Sequence, residues 1–273
     1  MTENSTETTT EAIPDHLQAG RDEPHVLEAC HDSEHEQRHA AAVLEEACLA
    51  FGTLEVLHQI NVTFRHGALT AVVGPNGSGK TSLLRMLAGF CAPSVGTICW
   101  HDVKRIALAE QADERAAWMP LRVRDVLVMG RYGHSGLLRR FDRRDKEIVA
   151  EAAERMDISR LLNRQLGQLS VGQRRRVRLA MCLAQEAQML LLDEPEGGLD
   201  IASNQRIFAE MEREKQRGAA VVFATHKLEE AAKSDYVVLL NKGVVAQGPA
   251  TEVLHRKQLS RVFGSEMLEE MLV

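Results

Sequence analysis

The stretch Gly74-Pro75-Asn76-Gly77-Ser78-Gly79-Lys80-Thr81 has the residue types and spacing of a phosphate-binding loop, G-x-x-x-x-G-K-[ST]. It directly follows the apolar run Leu69–Val73, which predicts a buried strand, and it precedes a segment predicted to be helical from Thr81 to Phe90. A strand that ends at a glycine-rich turn and restarts as a helix points several backbone N–H groups at one place, where a triphosphate fits. The stretch therefore predicts a nucleotide site.

The residue types in this loop have different expected roles in binding phosphate and Mg²⁺. The glycines at 74, 77 and 79 are expected to adopt positive φ and let the backbone approach the phosphates. Lys80 can reach the β- and γ-phosphates as a point charge, and the hydroxyl of Thr81 can bind Mg²⁺. Ser82 lies next to Thr81 and is assigned to the same site.

A second group of candidate residues follows two further apolar runs. The run Met189–Leu192 predicts a buried strand that delivers Asp193 and Glu194 at its carboxyl end, where doubly wound sheets bind ligands. We expect Asp193 to face Mg²⁺ and Glu194 to orient the attacking water. His226 ends the next predicted strand, from which it can hydrogen-bond the γ-phosphate.

The segment Leu169-Ser170-Val171-Gly172-Gln173 resembles the signature sequence of the ATP-binding cassette (ABC) ATPases, and the resemblance covers about residues 45 to 250. It implies that Ser170, Gly172 and Gln173, at a helix start, bind the γ-phosphate of ATP held by a second copy of the chain. The active unit is then a homodimer with two shared sites.

The resemblance also implies roles for three residues outside these motifs. Gln111 is expected near Mg²⁺ and the water, Asp200 in a loop that crosses the dimer, and Phe51 stacked on adenine. Three positions depart from the usual pattern: Glu110 stands where proline is frequent, Val171 where glycine is usual, and Glu196 where a small or hydroxyl residue is usual. Because a β-branched residue restricts φ, Val171 is expected to alter turnover without abolishing it.

The charge of the chain is concentrated at its N-terminus. The 273 residues carry a formal charge of −6, and the first 40 hold ten acidic and two basic residues. Residues 1–44 are therefore predicted to be a disordered acidic tail. His31, His35 and His39 are spaced by four, which on a helix would let them share Zn²⁺; the alternative is a solvated tail that is merely rich in histidine.

The order of predicted elements indicates an α/β fold. We expect a P-loop NTPase core with a mostly parallel sheet, an N-terminal antiparallel β subdomain and an inserted α-helical subdomain at about 114–172, together spanning 45–255. Residues 256–273 are predicted to be a short helical extension. No run approaches eighteen apolar residues, so the chain is expected to be soluble. The resemblance implies that it is peripheral, at the cytoplasmic face of the membrane.

The segment from Met119 to His134 resembles the part of manganese, zinc and iron importer ATPases that meets the permease. The resemblance implies an ATPase that energises uptake of a divalent metal through separate membrane permease subunits, supplied by an extracytoplasmic metal-binding protein. A siderophore or cobalamin importer is the alternative, although its related segment often has proline where Gly133 stands. A soluble, non-transport ABC ATPase is a further alternative, but the chain has neither tandem cassettes nor coiled-coil heptads. Since basic patches are weak, nucleic acid is not an expected partner.

Overall fold

The computed structural model of the protein describes residues 39–110, 120–135, 141–196 and 201–263. The strands in these residues are β1 Ala40–Phe51, β2 Leu54–Arg65, β3 Leu69–Val73, β4 Val95–Trp100, β5 Ile106–Ala109, β6 Met189–Asp193, β7 Ala220–Thr225, β8 Tyr236–Asn241 and β9 Gly243–Pro249. The helices are α1 Lys80–Leu87, α2 Val123–Ser135, α3 Arg143–Arg155, α4 Val171–Ala184, α5 Ile201–Gln216, α6 Leu228–Ala231, α7 Ala250–Val253 and α8 Arg256–Phe263.

These strands form two sheets. A three-stranded antiparallel sheet has the order β2-β1-β4, and a six-stranded sheet has the order β5-β6-β7-β3-β8-β9. In the larger sheet the first five strands are parallel and β9 pairs antiparallel with β8. Every residue of β3, β6 and β7 is buried, which is why these strands are nearly continuous apolar runs. The predicted α/β architecture is confirmed.

The first strand begins earlier than the sequence indicated. β1 starts at Ala40, so residues 40–44 belong to the antiparallel sheet and not to the tail that was predicted to end at residue 44. Ala40, Ala41 and Ala42 are at most 2% exposed. Small apolar side chains carry little hydrophobic signal of their own, and it is pairing with both β2 and β4 that buries this end of the strand.

Apolar side chains cover both faces of the larger sheet. Leu69, Ala71 and Val73 of β3 pack into a core with the helices α2 to α5, whereas Val72 packs with α1 and the antiparallel sheet. Successive residues of a strand point to opposite faces, so one short strand joins the two cores. The carboxyl ends of the parallel strands, where the motif residues lie, are thereby fixed from both sides.

The predicted helical insertion contains α2 and α3 and ends where α4 begins. Asp142 caps α3 through a capping box with Asp145. Arg131 of α2 is 3% exposed and donates to Asp145 of α3 and to Glu186 after α4, each at 3.0 Å. These two ion pairs of Arg131 join α2, α3 and the end of α4. Among the described residues, no helix is long and apolar enough to span a bilayer.

Candidate nucleotide-binding site

The loop at 74–79 joins β3 to α1 with the geometry that its glycines permit. Gly77 and Gly79 have φ of 79° and 100°, values that disfavour side chains, and Gly79 is the N-cap of α1. Gly74 differs from the prediction because its φ is not positive. A Cβ at position 74 would lie 2.2 Å from the carbonyl oxygen of Leu240 and 2.6 Å from Ser78 Oγ, so this glycine is required by close packing.

Lys80 is held inside the loop. Its side chain is 6% exposed, and its Nζ donates to the carbonyl oxygens of Gly74 at 2.8 Å and of Pro75 at 3.0 Å. Burial lowers the pKa of Lys80, while the nearby carboxylates of Glu194 and Asp193 oppose that shift. The ammonium group is therefore positioned where the loop would receive a phosphate.

Thr81 and Asp193 meet although they are 112 residues apart. Thr81 Oγ1 donates to Asp193 Oδ2 at 2.7 Å. Burial raises the pKa of Asp193, and so does repulsion from Glu194, while the hydrogen bond from Thr81 lowers it. A hydroxyl and a carboxylate are oxygen donors of the kind that Mg²⁺ prefers, and a cation would relieve the repulsion between the two acidic side chains. The residues fit a magnesium ion.

Glu194 and His226 lie side by side at the ends of β6 and β7. Glu194 has φ of 46°, in the left-handed region, and its N–H donates to the carbonyl oxygen of Ala224 at 3.1 Å. His226 Nδ1 lies 3.5 Å from Glu194 Oε1, and the histidine side chain is 49% exposed. Glu194 lines the same cleft as Asp193, and His226 lies beside Glu194, so the structure brings these predicted residues together.

A cleft of about 380 Å³ opens at this edge of the sheet. Its lining residues are Val56, Asn76, Gly77, Gly79, Lys80, Thr81, Ser82, Asp193 and Glu194. Ser78 is 2% exposed, and its N–H donates to the carbonyl oxygen of Pro75 within the loop. Phe51 ends β1 on the hairpin that leads to Val56, with a 59% exposed ring that does not line the cleft.

The predicted signature residues lie away from this cleft. Ser170 is the N-cap of α4: its Oγ accepts from the Gln173 N–H at 3.2 Å, while Gln173 Oε1 accepts from the Ser170 N–H at 3.0 Å. Gly172 follows in the first turn. Val171 is the first helical residue and is 49% exposed, so a β-branched side chain fits here without positive φ.

Several candidate residues lie outside the described parts of the chain: Gln111, Asp200, His31 and His35. The carbonyl oxygen of the third tail histidine, His39, accepts from the His66 N–H. Glu110, directly before residue 111, is described. It accepts from Arg85 of α1 at 2.6 Å through its carboxylate and from Arg178 of α4 at 2.7 Å through its carbonyl oxygen.

Sequence reasoning did not identify an acidic pair behind the cleft. Glu196 is 1% exposed and accepts from Thr225 Oγ1 at 2.5 Å, and Thr225 Oγ1 in turn accepts from the Lys227 N–H at 3.0 Å. Glu230 of α6 is also buried, and burial together with Glu196 raises its pKa to about 7. The unusual glutamate after Pro195 was the one indication of this pair in the sequence. Its partners Thr225 and Glu230 come from β7 and α6 and could not be inferred from it.

Comparison with known proteins identifies the family. Residues 57–197 match the family described as ABC transporter. The chain belongs to this ABC transporter family. It is an ATP-binding, ATP-hydrolysing cassette, and the resemblance inferred from the phosphate loop and the signature is confirmed.

Relatives of this cassette extend the match over most of the chain. It is 36% identical over 217 residues to "Manganese transport system ATP-binding protein MntA" of Synechocystis sp., covering 76% of this chain and 84% of the relative. It is also 36% identical over 217 residues to "Chelated iron transport system membrane protein YfeB" of Yersinia pestis, covering 76% and 73%. With "Zinc transport system ATP-binding protein TroB" of Treponema pallidum it shares 32% identity over 234 residues, covering 83% and 88%.

A solved structure agrees with the cassette fold. A chain of a transporter described as a metal-chelate type ABC transporter, in an inward-facing conformation, superposes with a TM-score of 0.74 at 27% identity. The match covers 82% of this cassette and 89% of that chain. The two sheets and the helical block described above are therefore those of a transporter ATPase.

Proposed function

We propose that this cassette is the ATP-hydrolysing subunit of an importer that takes up a divalent metal cation, Mn²⁺, Zn²⁺ or Fe²⁺, through a separate membrane permease. The observation that carries the proposal is identity above 30% across most of the chain with relatives named for manganese, iron and zinc transport. An assembled phosphate loop and an adjacent carboxylate pair support an active motor.

The cleft residues have distinct roles in hydrolysis. Lys80 and the loop N–H groups bind the β- and γ-phosphates, and Glu194 orients the attacking water. His226, 3.5 Å from Glu194, contacts the γ-phosphate. Thr81 and Asp193 hold Mg²⁺, together with Gln111 by family likeness; the ion neutralises charge on the phosphates. Phe51, which lies outside the cleft lining, stacks on the adenine ring by family likeness.

The functional unit is a homodimer. The cleft is lined by the phosphate loop, β2 and the end of β6, while Ser170, Gly172 and Gln173 stand at the start of α4 with that helix N-terminus exposed. A second copy can supply this terminus to the γ-phosphate. Asp200 acts in the loop that crosses between the copies, again by family likeness. ATP binding thus closes the dimer, and hydrolysis reopens it.

The surface of α2 is the permease-facing surface of the cassette. Met129 and Tyr132 are 43% and 48% exposed, and Met129 lines a groove of about 360 Å³ together with Lys104 and Gln185. Arg131, in the same segment, is buried in its ion pair and takes no part in docking. The cassette sits at the cytoplasmic face of the membrane, and an extracytoplasmic binding protein delivers the metal to the permease.

The first test separates transport from a soluble ATPase. A tagged chain is purified from solubilised membranes, and its host, deleted for the chromosomal copy, is assayed for uptake of radioactive manganese, zinc and iron ions. We expect a multi-span protein to co-purify and uptake of one ion to require the chain. Lys80→Ala should lower hydrolysis and uptake by at least about 100-fold, whereas the exposed-lysine control Lys257→Ala should lower neither. Uptake only of a chelate would indicate a siderophore-type importer, and absence of any membrane partner would contradict the proposal.

The dimer is tested separately by light scattering of Glu194→Gln. This variant keeps the phosphate loop but lacks the carboxylate that orients water, so ATP with Mg²⁺ should double its mass in solution and the double variant Lys80→Ala, Glu194→Gln should stay monomeric. A Glu194→Gln chain that binds ATP and remains monomeric would contradict closure by the isolated cassette.

A further inference from the structure

Three side chains of metal-ligating types converge on the β1–β2 hairpin, next to the catalytic cleft but outside its lining. The donor atoms of Cys48, Glu55 and His58 all lie within 4.8 Å of one another. Cys48 is a free, half-buried thiol, and the other two side chains are exposed. His58 Nδ1 is 2.9 Å from Glu55 Oε1. The three residues come from two strands and are not part of the phosphate loop, the signature or the acidic pair.

Backbone irregularities place these donors together. Glu46 and Gln59 have φ of 47° and 45°, and the pairing of β1 with β2 shifts register on both sides of Ala47. Such bulges redirect side chains locally. They also bring the Gln59 N–H to within 3.2 Å of Cys48 Sγ, to which it donates. The thiol itself points to the carbonyl oxygen of Glu46 at 3.7 Å, and metal binding would release its proton.

We propose that Cys48, Glu55 and His58 form a Zn²⁺ site whose fourth ligand is water. Thiolate sulfur, imidazole nitrogen and carboxylate oxygen are the ligands that zinc takes in proteins. Tetrahedral bonds of about 2.0–2.3 Å bring ligands to roughly 3.5 Å from one another, which small side-chain rotations can achieve here. Because manganese and magnesium prefer oxygen ligands, the thiol makes the site selective for zinc.

The site is joined to the phosphate loop by two successive hydrogen bonds. The His58 N–H donates to the carbonyl oxygen of Lys242 at 2.8 Å, and the Lys242 N–H donates to the carbonyl oxygen of Ser78 at 2.9 Å. Next to His58, Leu57 lies against the loop: a Cβ on Gly79 would be 2.5 Å from Leu57 Cδ2. Zinc on this hairpin would therefore restrain the strand that supports the nucleotide.

Because the hairpin is joined to the phosphate loop, zinc and ATP should each change the affinity of the cassette for the other. Restraining β2, whose Val56 lines the cleft, lowers the ordering cost of nucleotide binding, so zinc tightens ATP binding by about fivefold and ATP tightens zinc binding by the same factor. The coupling acts within one cassette and does not depend on the permease or on which metal is imported.

The test titrates the full chain with zinc sulfate and follows each thiol by alkylation and mass spectrometry. Zinc should protect Cys48 from alkylation, and manganese should require a concentration about 100-fold higher. Cobalt should give thiolate charge-transfer absorption. Glu55→Gln and His58→Asn should each weaken the protection of Cys48, and Cys48→Ser should abolish the cobalt absorption. The controls Cys91→Ser and His255→Asn, which change another free thiol and an exposed imidazole, should do neither.

Two further comparisons make the test decisive. Replacing His31, His35 and His39 by alanine removes the three candidate zinc ligands of the tail and should leave protection of Cys48 unchanged. Because Glu55 and His58 are exposed, Glu55→Gln and His58→Asn should retain the wild-type circular dichroism spectrum and affinity for ATP without zinc. Equal zinc protection of Cys48 in His58→Asn and wild type would overturn the site. Protection with no change in ATP affinity would overturn the coupling.

Discussion

Glu196 and Glu230 form a buried acidic pair directly behind the loop that carries His226. Thr225 joins Glu196 to this loop, since its hydroxyl donates to the carboxylate and accepts from the Lys227 N–H. The pKa of Glu230 is raised to about 7, first by burial and then by repulsion from Glu196, against the opposing charges of Lys227 and Lys233. At neutral pH the carboxyl group of Glu230 is therefore about half protonated.

This pair should make stability depend on pH. The unfolded carboxyl group of Glu230 ionises near its ordinary pKa of 4.5 and the folded one near 7, so folding incurs a cost that grows from pH 4.5 to 7 and is complete above 7. Glu230→Gln removes that cost and lets an amide donate to Glu196. Urea unfolding should find the variant roughly 1–2 kcal/mol more stable than wild type at pH 8 and no more stable at pH 4.5. The exposed neighbour gives the control Glu229→Gln, which should not differ between the two pH values; a Glu230→Gln advantage that is larger at pH 4.5 would contradict the assignment.

Two elements, α3 and α5, are joined across the cassette by a buried ion network. Arg155 of α3 donates to Glu210 at 2.7 Å and to Glu214 at 2.6 Å, both on α5, and all three side chains are at most 13% exposed. Removing the arginine leaves two buried carboxylates: Glu214 still lies 2.6 Å from Arg217, but Glu210 keeps only a longer ion pair of 3.8 Å, with the exposed Arg213.

Arg155→Ala should therefore destabilise the fold by about 3 kcal/mol, as the loss of one partner of a buried pair does. The control Arg143→Ala breaks an ion pair on the exposed surface of α3, with Glu147, and should cost at most about 0.5 kcal/mol. Guanidinium unfolding of both variants measures the difference. Equal costs for the two would show that the network contributes no more than a surface pair.

Two glycines of helix α2 should respond in opposite ways to alanine. A Cβ on Gly130 would lie 2.5 Å from the carbonyl oxygen of Met181 in α4, whereas a Cβ on Gly133 would meet no atom within 4 Å. Gly130→Ala should force the helices apart and cost about 1–3 kcal/mol, while Gly133→Ala should stabilise by about 0.5 kcal/mol because glycine is a poor helix former. Thermal unfolding of the matched pair tests this, and a stabilised Gly130→Ala would contradict the close contact of α2 with α4.

Across the whole molecule, structure that depends on neighbouring residues could be predicted from the sequence, whereas structure that depends on contacts with distant residues could not. The phosphate loop was predictable because Gly77, Gly79 and Lys80 act through their own turn and helix start. The reason for Gly74 was wrong, since the atom that excludes a side chain there belongs to Leu240 in another strand. The start of β1 at Ala40 depends likewise on its partner strands.

The same difference between local and long-range contacts explains which site residues were predicted and which buried or clustered residues were missed. Asp193 and Glu194 could be assigned because an apolar strand ends at them. The acidic pair of Glu196 and Glu230 forms only when β7 and α6 have folded against each other. The proposed zinc ligands Cys48, Glu55 and His58 meet because of two bulges, which no spacing of residues in the sequence indicates. Long-range register and burial, not residue type, decide these sites.

The proposed dimer, in which each site is shared between two copies, makes a prediction that no single-chain mechanism makes. Lys80→Ala destroys the phosphate loop but keeps the signature, whereas Ser170→Asp keeps the loop, preserves the α4 N-cap with another good capping residue, and sets a carboxylate against the γ-phosphate. Each variant alone should be inactive. In an equal mixture half of the dimers are mixed, and each of those has one intact site, so the hydrolysis rate should recover to about one quarter of wild type.

Recovery can arise in this mixture only if the phosphate loop of one copy and the signature of the other form a single site. Two chains that each carry Lys80→Ala have no intact loop, so mixing two separate preparations of that variant is the matched control and should recover nothing. Phosphate release at saturating ATP measures the rate. If the mixture of the two variants stays inactive while both bind to the permease or to each other, Ser170 does not act on the partner's nucleotide, and the helix N-terminus of α4 must be assigned a role within its own chain.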